Sequence, residues 1–324
     1  MSATVQTRVV DLDQLLPRIL SQDLEGISLS PLLSELAFHH LMYNFSEEKD
    51  IENLIPWVYR HSNIADEDDQ YDWPSEDSKF KLLFEEFSHY QNALAPGALS
   101  LAGPTTAKVK IVLPRKNWKV ARPRKYHSQS FILHILLWTV HAYLERSREP
   151  KLEVWVPNLI SSSKYVIGRQ KYASMPLAHV TVGPLTEGRP IISCPTWREG
   201  LPWDQFTAEV LSVMLGQLAN NIRIRDQKLQ DQEVFVVGFY GPHIYIARGY
   251  FPVETIKRVH AKGCSDDEHL ELKFTRGYDP CRKYDWMEAM RALSRLFRYL
   301  RSGSAKVGAI QKILSESVAT VEGS

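Results

Sequence analysis

The sequence predicts a mixed α/β protein (class α/β, or α+β) whose central mixed sheet is flanked by helices and preceded by a helical N-terminal part. Apolar residues in positions 1–95 recur at three- and four-residue spacing, which is the period of an amphipathic helix. From about residue 108 onward, short apolar or alternating runs indicate strands, and long helical patterns separate them. The composition, 44% hydrophobic and 24% charged, is that of an ordinary globular protein.

Four parts are predicted along the 324 residues. Residues 1–95 form a helical, acidic N-terminal region. Residues 96–107 form a linker, because the stretch "APGALSLAGPTTA" is rich in Gly, Ala, Pro and Thr. Residues 108–303 form a mixed α/β domain, and residues 304–324 form a C-terminal helix and tail.

The elements follow in chain order. Helices are predicted for "LDQLLPRILSQ", "SPLLSELAFHHLMYNF" and "EDSKFKLLFEEFSHYQNAL". The later elements are strand 107–113, helix 127–147, strands 152–157, 178–184 and 189–194, helix 202–227, strands 233–241, 243–251 and 269–275, helix 284–302 and a last short helix over 305–318. The turn "GPLTEG" predicts a hairpin between the strands that flank it. "SSSK", residues 161–164, is interpreted as a Ser-rich loop.

Several function classes are excluded by composition and motifs. The net charge is +1, so bulk electrostatics does not make the whole chain a polyanion binder. Cys194, Cys264 and Cys281 are widely spaced and form no CxxC pair, which argues against a disulfide framework or a structural zinc site. Neither GxGxxG nor GxxxxGK occurs, so nucleotide-dependent chemistry is not expected.

The expected location is cytoplasmic or nuclear. The N-terminus lacks the basic start and continuous apolar core of a secretory signal, and the cysteine pattern suits a reducing compartment. The most apolar stretch, residues 130–144, is shorter than the roughly twenty residues that span a membrane. We therefore expect a soluble protein that has no membrane partner.

Charged residues are segregated along the chain. Residues 64–87 are strongly acidic, and no acidic residue follows until Glu145. Between them lies a basic segment, residues 108–125, with the cations Lys108, Lys110, Arg115, Lys116, Lys119, Arg122, Arg124 and Lys125. Because Trp118 and Tyr126 are interleaved, the basic segment could neutralise phosphates and stack on bases. It could also be a nuclear import signal, or pair with the acidic residues of the same chain.

The order helix, three strands, helix, strand is that of a known superfamily. With the segments "FVVGFYGPHIYIARGYFP" and "DWMEAMRALSRLFRYLRSG", residues 127–302 resemble the PD-(D/E)XK nuclease-like superfamily, particularly its fungal members. The resemblance implies hydrolysis of a phosphodiester by a metal-activated water. One carboxylate on a central strand and a second, two residues before a lysine, would hold Mg²⁺. Strand side chains alternate, so a Glu-x-Lys pair points to one face.

The resemblance can be aligned in two ways. In the first, strand 189–194 would carry the catalytic pair, but it holds Ser193 and Cys194, followed by Thr196, without Glu-x-Lys. Gln217 on the following helix matches a glutamine often found in the superfamily. This alignment implies a scaffold without metal ligands or cofactor, which would bind or regulate rather than cleave.

In the second alignment, helix 203–227 comes first and 269–275 is the third strand. Glu271 and Lys273 then form the catalytic pair, Glu254 supplies the first carboxylate, and Glu254 and Glu271 hold Mg²⁺. The alternatives to Glu254 are Asp266 and Asp267.

Glu271 and Lys273 also fit the solvent-facing side of a strand. Apolar and polar residues alternate over 269–275, as in any half-buried antiparallel strand. Both interpretations place the two side chains on one face, so their spacing does not separate the interpretations. We favour the strand surface.

Three functions are predicted. The first is a non-catalytic or regulatory module that contacts nucleic acid or an acidic partner through the basic segment. The second is a Mg²⁺-dependent nuclease that uses Glu254, Glu271 and Lys273. The third is a protein-interaction scaffold in which the acidic and basic segments bind each other.

Overall fold

A computed structural model describes the fold of most of the chain. It describes residues 2–19, 47–65, 74, 78–99, 103–113, 127–145, 153–156, 162–183, 188–223, 229–264 and 269–322. The predicted helix "SPLLSELAFHHLMYNF" and most of the basic segment lie outside the described residues.

Strands in the described part build one large mixed sheet and a separate hairpin. They are β1 (Ser2–Val9), β2 (Ala107–Val112), β3 (Val154–Trp155), β4 (Ser163–Ile167), β5 (Gln170–Ser174), β6 (Ala178–Val182), β7 (Arg189–Cys194), β8 (Gln232–Tyr240), β9 (His243–Phe251) and β10 (His269–Phe274). The large sheet has eight strands in the order β2-β1-β10-β9-β8-β7-β6-β3. β1 runs parallel to β10 and β7 parallel to β8, and the other neighbours are antiparallel. β4 pairs only with β5 within the described residues.

Helices flank this sheet. They are α1 (Leu12–Leu15), α2 (Val58–His61), α3 (Ser78–Asn92), α4 (Pro96–Leu99), α5 (His127–Glu145), α6 (Trp203–Arg223), α7 (Val253–Lys262), α8 (Lys283–Arg301) and α9 (Gly308–Glu322). Residues 47–54 are helical as well. Among the helices described, none combines the length and the apolar character needed to cross a membrane.

The two faces of the sheet are covered by different helices. All nine residues of β8 are buried, as expected for a strand that is covered on both faces. On one face, called the α6 face, the ring of Phe206 contacts that of Tyr245 with 5.6 Å between centroids. On the other, called the α8 face, Tyr299 packs edge-on against Phe235 and donates a hydrogen bond to Glu233.

The N-terminal part packs against α8. The indole nitrogen of Trp286 donates a 2.9 Å hydrogen bond to the carbonyl of Leu54, and its ring lies 5.1 Å from that of Phe84. One hydrophobic cluster runs from Ala3 to Ile310. Residues from both ends of the chain therefore share a core.

Most predicted elements are confirmed. The mixed sheet flanked by helices is present, the strands β6 and β7 form the predicted hairpin, and α8 ends just before Gly303, whose φ of 80° is the left-handed geometry that favours glycine. The turn residues Gly168 and Arg169 also have positive φ, and they join β4 to β5 where a loop was expected.

Strand β1 differs from the prediction of helices and loops for residues 1–95. Its side chains at Ala3, Val5 and Thr7 alternate into the core, and its backbone bonds to β10 on one side and β2 on the other. An alternating stretch of only eight residues gives a weak local signal, and its pairing partner lies at the other end of the chain.

Candidate functional site

The two alignments of the sequence correspond to two places in the sheet. The first consists of α5, β3, β6, β7, α6 and β8, with the hairpin β4–β5 between β3 and β6. Here β6 lies between β3 and β7 and pairs antiparallel with both, and β8 is parallel to β7. The second consists of α6, β8, β9, β10 and α8. The superfamily order requires a fourth strand after the second helix. In this structure β1, from the N-terminal part of the chain, pairs parallel with β10 in that position.

In the first place, three polar side chains form a buried chain of hydrogen bonds. His179 Nδ1 lies 3.0 Å from Ser193 Oγ, and the serine hydroxyl donates to Gln217 Oε1 at 2.7 Å. Gln217 Nε2 in turn donates to the carbonyl of Ile191 at 2.9 Å. Ser193 and Gln217 are completely buried, and His179 is nearly so. Gln217, which the sequence matched to a glutamine of the superfamily, is therefore a buried residue of α6 that accepts a hydrogen bond from Ser193.

This chain satisfies polar groups inside the core. A buried hydroxyl or amide costs free energy unless it is hydrogen-bonded, and each link here supplies a partner. Burial also raises the pKa of the neighbouring Cys194 thiol to about 12, so the thiol stays protonated and is a poor nucleophile. Because Ser193 is shielded from solvent, this chain fits a structural role.

In the second place, Glu271 and Lys273 lie on β10 and face the α8 side of the sheet. The burial of β10 alternates, with Leu270, Leu272 and Phe274 directed into the core. Glu271 lies 3.4 Å from Arg8 on β1. The pair of side chains is thus on one accessible face, as both interpretations of the motif require.

Glu254 lies elsewhere, in the first turn of α7. Its carboxylate is largely exposed and pairs with Lys257 at 3.0 Å. Asp266 and Asp267, the alternatives, lie outside the described residues. Within the part of the chain that the structure describes, no group of three or more His, Cys, Asp or Glu side chains is placed to hold a metal ion.

The accessible part of the α8 face, over β2, β1, β10 and β9, carries a row of three cations. Arg8 is the register partner of Lys273, and Lys273 is the partner of Arg248. Neighbouring strands lie about 4.8 Å apart, so the three side chains start side by side across the sheet. Lys108 and Lys110 lie on the same face of β2, where their register partners on β1 are Gln6 and Thr4. We call Arg8, Lys108, Lys110, Arg248 and Lys273 the cationic sheet face.

The charges of this row are neutralised unevenly. Arg8 has Glu271, and Arg248 has the buried carboxylate of Glu233 as a close ion-pair partner. Lys273 stands between the two arginines without an ion-pair partner among the described residues. Like charges on directly opposed strand positions destabilise a sheet, so an anion bound above Lys273 would relieve their repulsion.

A groove of about 470 Å³ borders the row. Arg248, Lys273, Glu271, His269 and Tyr250 line it. Tyr250 is 43% exposed and places an aromatic ring beside the cations, with Lys306 Nζ 5.2 Å from the ring centroid. His269 Nε2 lies 3.2 Å from Lys108 Nζ, so β2 and β10 are linked across β1.

The structure therefore brings some predicted residues together and adds others. Lys108 and Lys110 of the basic segment lie on the same face as Lys273. The other predicted cations, Arg115, Lys116, Lys119, Arg122, Arg124 and Lys125, lie outside the described residues. Sequence reasoning missed Arg8 and Arg248, and the signal that would have found them is the alternation of β1 and β9 combined with their pairing to β10.

The described residues form an α+β protein whose mixed sheet exposes the cationic sheet face over β2, β1, β10 and β9. A scan against protein-family models found no match to the chain, and a search of curated proteins found none.

Proposed function

We propose that the protein is a non-catalytic module that binds nucleic acid through the cationic sheet face. The observation that carries this proposal is the row Arg8, Lys273, Arg248, which lies beside Lys108 and Lys110 on one accessible surface. Phosphates are the anions that such a row of guanidinium and ammonium groups binds, and their contacts dominate the affinity for nucleic acids.

The shape of the face favours a single strand. An open sheet surface carries an extended chain across its strands, and aromatic rings on it stack on unpaired bases. Tyr250 supplies such a ring at the edge of the groove. Arg248 is held by the carboxylate of Glu233 and by the carbonyl of Leu15, so its positive charge has a fixed position beside Lys273. Arg8 forms an exposed ion pair with Glu271 that a phosphate can replace.

Two features favour binding over cleavage. The carboxylate of Glu271 on β10 forms an ion pair with Arg8. The carboxylate of Glu254 lies on a different element, α7, and forms an ion pair with Lys257 of the same helix. The order of elements from α5 to β8 supports the resemblance to a nuclease-like core, and the buried chain of His179, Ser193 and Gln217 stands where that core would have metal ligands.

The test is a titration of labelled single- and double-stranded DNA and RNA oligomers with the full chain, at 50 and 200 mM salt and with Mg²⁺ or Mn²⁺ present. The Debye length roughly halves between these two salt concentrations. We expect binding to single strands that weakens with salt, without shortening of the oligomer. In Lys273→Gln the slope of log affinity against log salt should fall by roughly 0.7 for a lost contact to a single strand. The matched control is Lys171→Gln on the separate hairpin, which should leave the slope unchanged.

Other outcomes would point to the alternatives. Cleavage that is lost in both Glu271→Ala and Lys273→Ala would replace this proposal with the Mg²⁺-dependent nuclease. An absence of binding to every oligomer would overturn it in favour of the protein-interaction scaffold.

A further inference from the structure

A second candidate site lies on the opposite side of the sheet. A cavity of about 310 Å³ opens between the hairpin β4–β5, α6, α7 and the ends of β9 and β10. Its walls are apolar, and they include Tyr165, Ile167, Leu215, Leu218, Ile256 and Val259. Cavities of about 300 Å³ and larger with apolar walls and a few polar groups are typical of small-molecule sites.

The lining of the cavity offers few groups that can form hydrogen bonds. The hydroxyl of Tyr165, the polar atom of a wall residue, already shares a 2.8 Å hydrogen bond with Ser212. The aliphatic side chains from α6 and α7 have no hydrogen-bonding atoms. The cavity opens to solvent and its lining is apolar, so an apolar group that displaces water from this lining gains free energy.

Backbone contacts join the hairpin to α7 at one edge of the cavity. The amide of Gly168, in the turn between β4 and β5, donates a 3.1 Å hydrogen bond to the carbonyl of Val259 on α7. A Cβ atom at Gly168 would lie 3.1 Å from the amide nitrogen of Gly263, so the turn and the end of α7 already touch. This contact fixes the distance between the turn of the hairpin and the C-terminal end of α7 at one edge of the cavity.

The mouth of the cavity carries polar side chains, one of which is a lysine. Lys257 and His260 line it together with the hydroxyl-bearing Thr255, all from α7. Both Lys257 and His260 are exposed, so the ammonium group of Lys257 and the imidazole of His260 can reach a ligand at the mouth. Glu254 pairs with Lys257 at 3.0 Å and is itself exposed, so a ligand anion would exchange for a weak surface ion pair.

We propose that this cavity binds an apolar carboxylate, a fatty-acid-like molecule with its chain in the cavity and its carboxylate at Lys257 and His260. The volume holds about ten water-sized groups, which sets the chain at about ten carbons. The cavity shares Thr255 and Leu270 with the groove beside the cationic sheet face, but none of the five cations of that face lines the cavity.

The test is calorimetric titration of the full chain with decanoate, decan-1-ol and decylammonium. We expect decanoate to bind, decan-1-ol to bind more weakly, and decylammonium to bind at least tenfold more weakly than decanoate. In Ala219→Leu, which places extra methyl groups in the cavity, decanoate should lose at least tenfold in affinity. The thermal unfolding midpoint of this variant establishes that it folds.

Lys257→Gln separates the charge from the cavity. It should weaken decanoate by roughly twofold to fivefold, the effect of an exposed ion pair, and leave decan-1-ol unchanged. Lys262→Gln, on the same helix but outside the cavity, is the matched control. Equal binding of the three compounds, unchanged decanoate binding in Ala219→Leu, or no decanoate binding to the wild type would overturn the proposal. Lys273→Gln should leave decanoate binding unaltered, so failure here is distinct from failure of nucleic-acid binding.

Discussion

The arginines of α8 and the cations of the sheet face carry the same charge in opposite surroundings. Arg298 is largely buried and holds the carboxylate of Asp50 with two hydrogen bonds of 2.7 and 2.6 Å. Arg295 is buried too and pairs with Asp13 and Glu47. Lys273, in contrast, lies at an accessible surface between two other cations. The buried arginines are matched by acids, whereas Lys273 has no ion-pair partner among the described residues.

Arg298→Ala should cause the largest loss in the free energy of unfolding. It leaves the buried carboxylate of Asp50 without its partner, which typically costs about 3–5 kcal/mol in the free energy of unfolding. Urea denaturation would measure this cost, with Arg291→Ala as the control. Arg291 pairs with the more exposed Glu48 and with Glu288, and its loss should cost about 1 kcal/mol or less. Equal costs for the two variants would show that the burial of the pair is irrelevant.

The next largest loss of stability should come from breaking the buried hydrogen bonds that join His179, Ser193 and Gln217. Gln217→Ala removes the acceptor of the Ser193 hydroxyl and the donor to Ile191, so it should cost about 1–3 kcal/mol. Gln205→Ala, at an exposed position of the same helix, should change stability by no more than about 0.5 kcal/mol. Both variants should bind nucleic acid like the wild type. A loss of binding in Gln217→Ala alone would make the buried chain part of the function.

The sequence predicted the elements with strong local periodicity and missed those that depend on distant pairing. Helices such as α6 and strands such as β8 stand out because their apolar pattern is long or continuous. β1 was missed because its eight residues gain their role from β10, which comes late in the chain. The hairpin β4–β5 was missed because its polar start resembles a loop.

The candidate site was predictable only in part for the same reason. Lys108 and Lys110 stood out because they belong to a local run of basic residues. Arg8 and Arg248 are isolated in sequence, and only the parallel pairing of β1 with β10 and the antiparallel pairing of β9 place them beside Lys273. The buried acidic partners of the arginines of α8 are Asp13, Glu47 and Asp50, more than 200 residues earlier in the chain, and local patterns do not show such contacts.

A smaller effect, visible with pH, concerns a half-buried histidine. Burial lowers the pKa of His243 below its usual value, an effect only partly offset by the carboxylates of Asp279 and Asp285, while Arg276 and Arg282 act in the same direction as burial. Below the ordinary histidine pKa of about 6.5, the unfolded chain binds more protons than the folded one. The free energy of unfolding should therefore fall as the pH drops below that value. Urea titrations at pH 7.5 and 5.5 should show a smaller difference in His243→Gln, and an unchanged difference would contradict the role of this residue.

The smallest effect should come from Glu271→Gln, and it bears on both interpretations of the motif. The Arg8–Glu271 pair is exposed, so its loss should change stability by only about 0.5 kcal/mol or less. Removing the negative charge leaves the row Arg8, Lys273 and Arg248 more positive, so affinity for a single-stranded oligomer at low salt should stay the same or rise by about twofold to fivefold. Glu254→Gln, away from the face on α7, should leave affinity unaltered. If Glu271→Gln instead weakens binding in the presence of Mg²⁺ but not in its absence, Glu271 holds a metal ion. That result would favour the Mg²⁺-dependent nuclease over the non-catalytic module.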